Sequence, residues 1–185
     1  MNRSTVDRLI STTGVVIAVV LLAASGVLFY AHNFIHTQVH NQLATEKIMF
    51  PATGSGSLNA LPSADKAAMS KYAGQQLTTG AQAETFADHY IAVHLNEIGS
   101  GKTYSELSTA SRANPTDKKL AGEVSTVFQG ETLRGLLLNA YAFDTMAVVA
   151  GYAAFGALAA GTLLLVLAAL GFRHAGVVKK AKRRS

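Results

Sequence analysis

Three histidines follow one another at four-residue intervals near the N-terminal end of the chain. His32, His36 and His40 stand at i, i+4 and i+8, so their rings share one face of a helix. Neutral imidazoles at this spacing can hold zinc or another divalent ion, and they can also sense pH because imidazole titrates near neutrality. The third interpretation is that they are interfacial and packing side chains. No other cofactor is expected.

A charged pair precedes the second apolar run of the chain. Glu131 and Arg134 are three positions apart, a spacing that allows an ion pair on one helix. The pair either lies on a solvated surface or belongs to a charge network between two long helices.

Two further acids extend this network if the long helices are antiparallel and their flanking arginines share one depth. A rise of about 1.5 Å per residue then places His36 level with Asp144, and Glu46 level with Arg134. Glu46, Glu131, Arg134 and Asp144 are therefore the candidate interaction residues. The argument predicts a common level for each pair and leaves the rotation of each helix open.

A second group of ionisable residues lies in the middle of the chain. Asp88, His89, His94 and Glu97 fall on one predicted helix, where only His94 and Glu97 have neighbouring i, i+3 positions. The zinc-protease pattern HExxH does not occur. We expect this group to have a structural role.

Sequence motifs of catalysis and of nucleotide binding do not occur. There is no GxSxG, no Walker A and no GxGxxG. The chain has no cysteine, so it has neither disulfides nor thiol nucleophiles. We therefore expect a protein that is not an enzyme.

The excess of basic charge lies at the two ends of the chain. Of the net charge of +5, residues 37–142 contribute none of the excess, because their acidic and basic side chains nearly balance. The excess comes from Arg3 and Arg8 at one end and from Arg173 and the KKAKRR tail at the other. This distribution is typical of a membrane protein, and nucleic acid is not an expected partner.

Two apolar runs are long enough to cross a bilayer. Gly14 to Ala31 is apolar apart from Ser25, and Thr145 to Phe172 carries no charge. Both should be helices, because a backbone in lipid must satisfy its own hydrogen bonds. The predicted division is a cytoplasmic N-terminus (1–8), a first transmembrane helix (9–36), an external α-helical domain (37–142), a second transmembrane helix (143–172) and a basic cytoplasmic tail (173–185).

Positive flanks predict the orientation, with both termini in the cytoplasm of a multi-pass cell-membrane protein. The alternative for the first run is a cleaved signal peptide, although the run is longer than a signal core. Small residues recur at four-residue intervals at Ala153, Ala157 and Gly161, and at Gly14 and Ala18. Such faces let helices approach closely in lipid, either within the chain or in a homodimer.

The segment between the runs is predicted to be helical. The first helix should continue to just before Pro51, and PATGSGSL (51–58) should be a flexible connector. Ser63 is an expected N-cap, a second helix should cover about 81–98, and TYSE (103–106) matches a capping box. Asn114-Pro115 should start a helix that continues into the second span. The expected fold is all-α, with two antiparallel transmembrane helices extended outward and two or three shorter helices in an external module.

Two stretches carry a resemblance. FADHYIAVHLNEIGSGKTYSELSTASRANP (86–115) and VFQGETLRGLLLNAYAF (127–143) together resemble an uncharacterised actinobacterial family of small two-span membrane proteins. The family brings no established catalytic residues. Some of its sequences carry the label of an aromatic ring-opening dioxygenase small subunit. Such an iron site needs converging histidine and carboxylate ligands, which this sequence does not indicate.

These observations predict a membrane-anchored extracytoplasmic helical module that acts by interaction. It would be an accessory subunit or scaffold of an envelope complex, with the lipid bilayer and a membrane-protein partner or a second copy as its contacts. The alternative is an external sensor of a ligand, pH or metal that signals through a partner's membrane helices.

Overall fold

The computed structural model describes the backbone of residues 3–182 and the side chains of residues 5–177. This part of the chain is helical and contains no strand. The side chains of Arg3 and of the tail cations Lys179, Lys180, Lys182, Arg183 and Arg184 lie outside the described residues. The elements in chain order are α1 (Arg3–Glu46), α2 (Gly56–Asn59), α3 (Ser63–Ser70), α4 (Gly80–Phe86), a π-helical turn (Ala87–Ile91), α5 (Ala92–Ile98), α6 (Tyr104–Ala113) and α7 (Lys118–Lys182).

The chain divides into two compact units. Unit 1 comprises Met1–Phe34 and Met146–Ser185, and unit 2 comprises Ile35–Thr145. Two helices, α1 and α7, are long and apolar enough to cross a membrane. The prediction of an all-α chain with two such helices is confirmed.

Small side chains fill the buried positions of unit 1. The buried residues recur every seven positions, a spacing that keeps one face turned to a partner helix in a left-handed supercoil. The residues of this repeat are Ser11, Ala18 and Ser25 of α1, and Ala147, Ala154, Gly161, Ala168 and Ala175 of α7; Gly151 of α7 is also buried, outside the repeat. Gly161 is part of this repeat as expected, but Ala153 is exposed and Ala157 only half-buried. On α7 the four-residue stripe read from the sequence is therefore not the packed face, whereas Gly14 and Ala18, the stripe read on α1, both lie against α7.

Contacts in unit 1 join the two long helices directly. A Cβ added to Gly14 would lie 3.6 Å from the Cβ of Ala168. Phe29 and Phe155 meet edge to face with ring centroids 4.8 Å apart. The hydroxyl of Ser25 donates to the carbonyl oxygen of Ala154 at 2.9 Å. Close backbone approach of this kind requires small residues at the contact.

Unit 2 has a core of large apolar side chains centred on Phe50. The Phe50 ring lies 5.3 Å from the rings of both Tyr72 and Phe86. Leu77 and Met69 are completely buried in the same cluster. Short backbone bonds hold the segment after α1 in place; the amide of Phe50 donates to the carbonyl of Gln75 at 2.9 Å. The core therefore combines the segments between the two long helices with Val39 and Leu43 of α1 and Leu137 of α7.

Several helix ends differ from the sequence prediction. Helix α1 ends at Glu46, earlier than expected, and Lys47 follows it with a positive φ of 53°. The connector 51–58 includes the start of a short helix, α2. Pro62 rather than Ser63 is the N-cap of α3. Helix α7 begins at Lys118, because the Asp117 side chain accepts the Leu120 amide and caps it. The capping box at Thr103 is confirmed.

Candidate functional site

Asp144 is the acceptor at which three helical segments of unit 2 meet. Nδ1 of His36, on α1, donates to its Oδ1 at 2.6 Å. The backbone amide of Gly80, the first residue of α4, donates to its Oδ2 at 3.1 Å. Asp144 itself is only 9% exposed. A buried carboxylate is stable when such donors satisfy it, so this site, the Asp144 node, ties α1, α4 and α7 together.

The first turn of α4 is positioned so that the Gly80 amide donates to this carboxylate. Thr79 caps the helix, and its capping box with Gln82 leaves the Gly80 N–H directed outward to an acceptor. A Cβ on Gly80 would overlap the side chain of Asp144. Glycine is therefore required here by close approach rather than by backbone angles. A carboxylate is also favoured at a helix N-terminus, where unpaired amides carry partial positive charge.

A second charged cluster surrounds the π-helical turn. Nη2 of Arg134, on α7, donates to Oδ1 of Asp88 at 2.8 Å. Nη1 of the same guanidinium lies 3.6 Å from Oε2 of Glu131. The neighbouring His89 donates from Nδ1 to Oδ1 of Asp65, on α3, at 2.7 Å. Two consecutive residues of the turn, Asp88 and His89, thus contact two different helices, α7 and α3. Such π-helical turns often occur at functional sites.

Of the two residue pairs predicted to lie at a common level on the long helices, one is in contact in the structure. His36 and Asp144, expected at one level, are in contact at 2.6 Å. For Glu46 and Arg134 only a common level was predicted; among the described ion pairs Arg134 contacts Asp88 and Glu131 rather than Glu46. Glu46 is an exposed residue at the end of α1. The π-helical turn places Asp88 next to Arg134, and no residue spacing in the sequence predicts that turn.

The histidine stripe does not assemble into a metal site. His32 donates from Nδ1 to the carbonyl oxygen of Ala147 at 2.7 Å, while His36 belongs to the Asp144 node and His40 is exposed. Across the described residues, no group of three His, Asp or Glu side chains is placed to hold a metal ion. The i, i+4, i+8 spacing put three rings on one helical face, but two of them are directed to partners on α7.

His94 and Glu97, the other members of the central group, lie apart from the Asp144 node. Nδ1 of His94 donates to the carbonyl of Tyr90 at 2.7 Å within its own helix. Glu97 is exposed and borders a groove of about 350 Å³ with Asp88 and Asn96. The described contact of His94 is therefore local, to the π-helical turn that precedes α5.

Two residues of the site are not found by reasoning from the sequence. Asp65 lies on α3 and has no spacing relation to His89, 24 positions away. Gly80 is one glycine among 16. For Gly80 a sequence feature does exist, because Thr79 and Gln82 have capping-box spacing immediately around it.

The arrangement can fix geometry between helices through charge-assisted hydrogen bonds. Such bonds are stronger than neutral ones, and each here is at least partly shielded from water. Comparison of the chain with protein-family models, with curated proteins and with solved structures gives no match. The resemblance to an actinobacterial two-span family therefore stays a sequence-based prediction.

Proposed function

We propose that the chain is a membrane-anchored, extracytoplasmic helical module that acts by interaction, as an accessory subunit or scaffold of an envelope complex. One observation carries the proposal. In the most apolar 18-residue segment of each long helix, only 11% and 17% of the segment is buried. Unit 2, by contrast, has a buried core of its own. Helices with this composition need an apolar surrounding that the chain itself does not provide.

The outward surface of unit 1 supports a lipid environment. Large apolar side chains such as Val20, Val27, Tyr152 and Phe155 are more than 60% exposed. Monomeric soluble proteins rarely expose continuous apolar patches larger than a few hundred Å². A surface of this extent is stable in a bilayer, where it contacts acyl chains rather than water.

Several polar side chains along the two long helices of unit 1 donate to carbonyl oxygens within the chain. Ser25 and His32 donate to backbone carbonyls of α7, and the hydroxyls of Thr12 and Thr162 donate to carbonyls four residues back. Polar side chains in hydrocarbon are tolerated when they find such internal acceptors. These contacts also support the antiparallel pairing of the two spans.

The proposed orientation rests on the charged flanks. Lys and Arg residues precede the first span and follow the second, and such residues remain on the cytoplasmic side. Unit 2 would then be the external module. Juxtamembrane cations also attract anionic head groups, by about 1 kcal/mol each near the surface.

Interaction rather than catalysis is proposed because unit 2 combines a fixed framework with exposed apolar side chains. The Asp144 node and the Arg134 cluster hold its helices by charged contacts. On α7, Leu136 is 61% exposed and Phe143 is 55% exposed, although both belong to unit 2. Exposed apolar groups on an otherwise packed module are typical of a surface that meets a membrane-protein partner or a second copy.

Co-purification from native membranes tests the interaction. The full chain, extracted in mild detergent, should carry a stoichiometric partner or a second copy. Leu136→Glu with Phe143→Glu should release it, because charge in an apolar contact is costly. Ser125→Glu, at an exposed polar position of the same helix, is the matched control. A monomer without partner in the unmodified chain would contradict the proposal.

An external sensor is the second candidate, and the two Asp–His pairs favour it. His36 with Asp144 and His89 with Asp65 each place an imidazole against a carboxylate at 2.6 Å and 2.7 Å. A change in amide-exchange protection of unit 2 between pH 7.5 and 5.5, absent in a His36→Ala/His89→Ala variant, would favour this function. Zinc retained by the purified chain and lost in a His32→Ala/His36→Ala/His40→Ala variant would favour a metal sensor.

A further inference from the structure

Unit 1 contains a cavity of about 450 Å³ between α1 and α7, close to the two ends of the chain. Its volume falls within the range of small-molecule sites. The lining residues are Asp7, Ile10, Ser11 and Gly14 of α1, and Leu164, Leu167, Ala168, Leu170, Gly171 and His174 of α7. The cavity belongs entirely to unit 1 and includes none of the residues of the Asp144 node.

The lining is amphiphilic along the helix axis. Asp7, Ser11 and His174 provide polar groups towards the chain ends, and Gly14 and Leu164 line the opposite, apolar part. From His174 to Leu164 a helix rises about 15 Å. A ligand that fits this lining has a polar head and an aliphatic chain.

Asp7 identifies the head group. Its Oδ2 is shielded from solvent and accepts no hydrogen bond from any residue in the described part of the chain. A shielded carboxylate oxygen without a donor is unfavourable, and a cationic N–H donor is the group that relieves it best. Arg8 and Arg173, next to the lining residues in sequence, are exposed and can meet a phosphate.

We propose that this cavity binds one phospholipid with a primary-amine head group, as in phosphatidylethanolamine. The ammonium donates to the Asp7 carboxylate, the phosphate lies near Arg8 and Arg173, and an acyl chain follows Leu164 and Leu167. The inference rests on the proposed membrane location. Phosphatidylcholine has the same charge but no N–H on its head group, so the donor bond is the basis of discrimination.

Native mass spectrometry of the delipidated full chain tests the site. Phosphatidylethanolamine and phosphatidylcholine with identical acyl chains are added together. We expect one retained lipid, with a preference of about tenfold for the ethanolamine lipid, the factor that one charged hydrogen bond supplies. Asp7→Asn should abolish the preference, while Glu84→Gln, a matched acid in unit 2, should leave it unchanged. Circular dichroism and gel filtration verify that each variant is folded.

Blocking the cavity gives an independent readout. Leu167→Trp should prevent retention of either lipid, whereas Val166→Trp should not, because both positions are 53% exposed but only Leu167 lines the cavity. Equal retention of the two lipids by the unmodified chain would overturn the inference, as would a preference that survives Asp7→Asn. Flotation of the chain with membranes separates the two proposals. A floating chain without lipid preference contradicts only this site, and a chain that does not float contradicts the proposed location.

Discussion

In unit 1 the buried positions hold alanine, glycine and serine while the large apolar side chains point outward, whereas in unit 2 the large apolar side chains are buried. Ala18 and Ala154 are fully buried, and Tyr152 is 75% exposed. In unit 2, Met69 and Leu77 are fully buried and Phe50 is 2% exposed. The inversion supports the proposal that unit 1 lies in lipid and unit 2 in water, because large apolar groups are stable where water is absent.

Polar contacts differ in the same sense. In unit 1, side chains such as Ser25 donate to backbone carbonyls, and the described contacts include no ion pair there. In unit 2, carboxylates pair with His36, His89 and Arg134. Ion pairs require ionised groups that can remain partly solvated, whereas hydrogen bonds to carbonyls serve without charge in an apolar surrounding.

The largest expected effect is loss of the Phe50 ring from the core of unit 2. Phe50→Ala should lower the free energy of unfolding by about 3–5 kcal/mol, since the cavity adds to the lost burial. Hydrogen exchange should report loss of protection in α4 and α5 with little change in unit 1. Tyr152→Ala, at an exposed ring of unit 1, is the control. Equal loss of protection in both units would show that they do not differ in the way proposed.

The Asp144 node should contribute next. Asp144→Ala leaves the His36 imidazole and the Gly80 amide without their acceptor, at a cost of about 1–3 kcal/mol. Asp65→Ala should cost less, because the Asp65 side chain is 22% exposed against 12% for Asp144. A double-mutant cycle of Asp144→Ala with His36→Ala, followed by chemical denaturation, measures the coupling. Strict additivity would mean that the 2.6 Å contact contributes nothing.

Close helix approach in unit 1 has a test that the cysteine-free chain makes simple. Gly14→Cys with Ala168→Cys should form a disulfide readily, because a Cβ at position 14 lies 3.6 Å from that of Ala168, the separation a disulfide needs. Gly161→Leu should reduce crosslinking, since even a Cβ there lies 3.0 Å from Leu22, and overpacking costs about 1–3 kcal/mol.

Gly156→Leu serves as the control for that experiment, because nothing lies within 4 Å of a Cβ at position 156. Efficient crosslinking in the Gly161→Leu variant, or none in the parent pair, would contradict the packing of the seven-residue repeat.

The smallest effect concerns the start of α6 in unit 2. Hydrogen bonds from the amide and hydroxyl of Thr103 lower the pKa of Glu106, with Lys102 adding to the shift. A lowered folded-state pKa means that the cap stabilises α6 above the unfolded pKa and is lost as the pH falls through the folded value. Amide protection in Tyr104–Ala113 should therefore decline only when the pH falls below the ordinary range of a glutamate pKa, and Glu106→Gln should remove that dependence. An unchanged pH dependence in Glu106→Gln would assign it to another group.

Reasoning from the sequence reached the all-α fold, the two long apolar helices and the Thr103 capping box, because each depends on local composition or spacing. The level shared by His36 and Asp144 was also reached, since helical rise is regular. The contact of Arg134 with Asp88 was missed, because Asp88 lies in a π-helical turn that no residue period reveals. Asp65 was missed for a similar reason, as its contact with His89 depends on the packing of α3 rather than on spacing.

The packed face of unit 1 could have been found more precisely. Four-residue spacing selected Ala153 and Ala157, whereas the structure buries Ala147, Ala154 and Ala168. Both patterns are present in an alanine-rich helix, and only the seven-residue spacing persists along both α1 and α7. A repeat sustained over many turns is better evidence for packing than a short stripe.

The central claim is that the chain crosses the membrane twice with unit 2 outside. Single cysteines at Thr5 and Thr53, both exposed, can be introduced into the cysteine-free chain and treated with a membrane-impermeant thiol reagent on intact cells. The account predicts that Cys at position 53 reacts in intact cells and that Cys at position 5 reacts only after lysis. Reaction at position 5 in intact cells, or protection at position 53 until lysis, would contradict it.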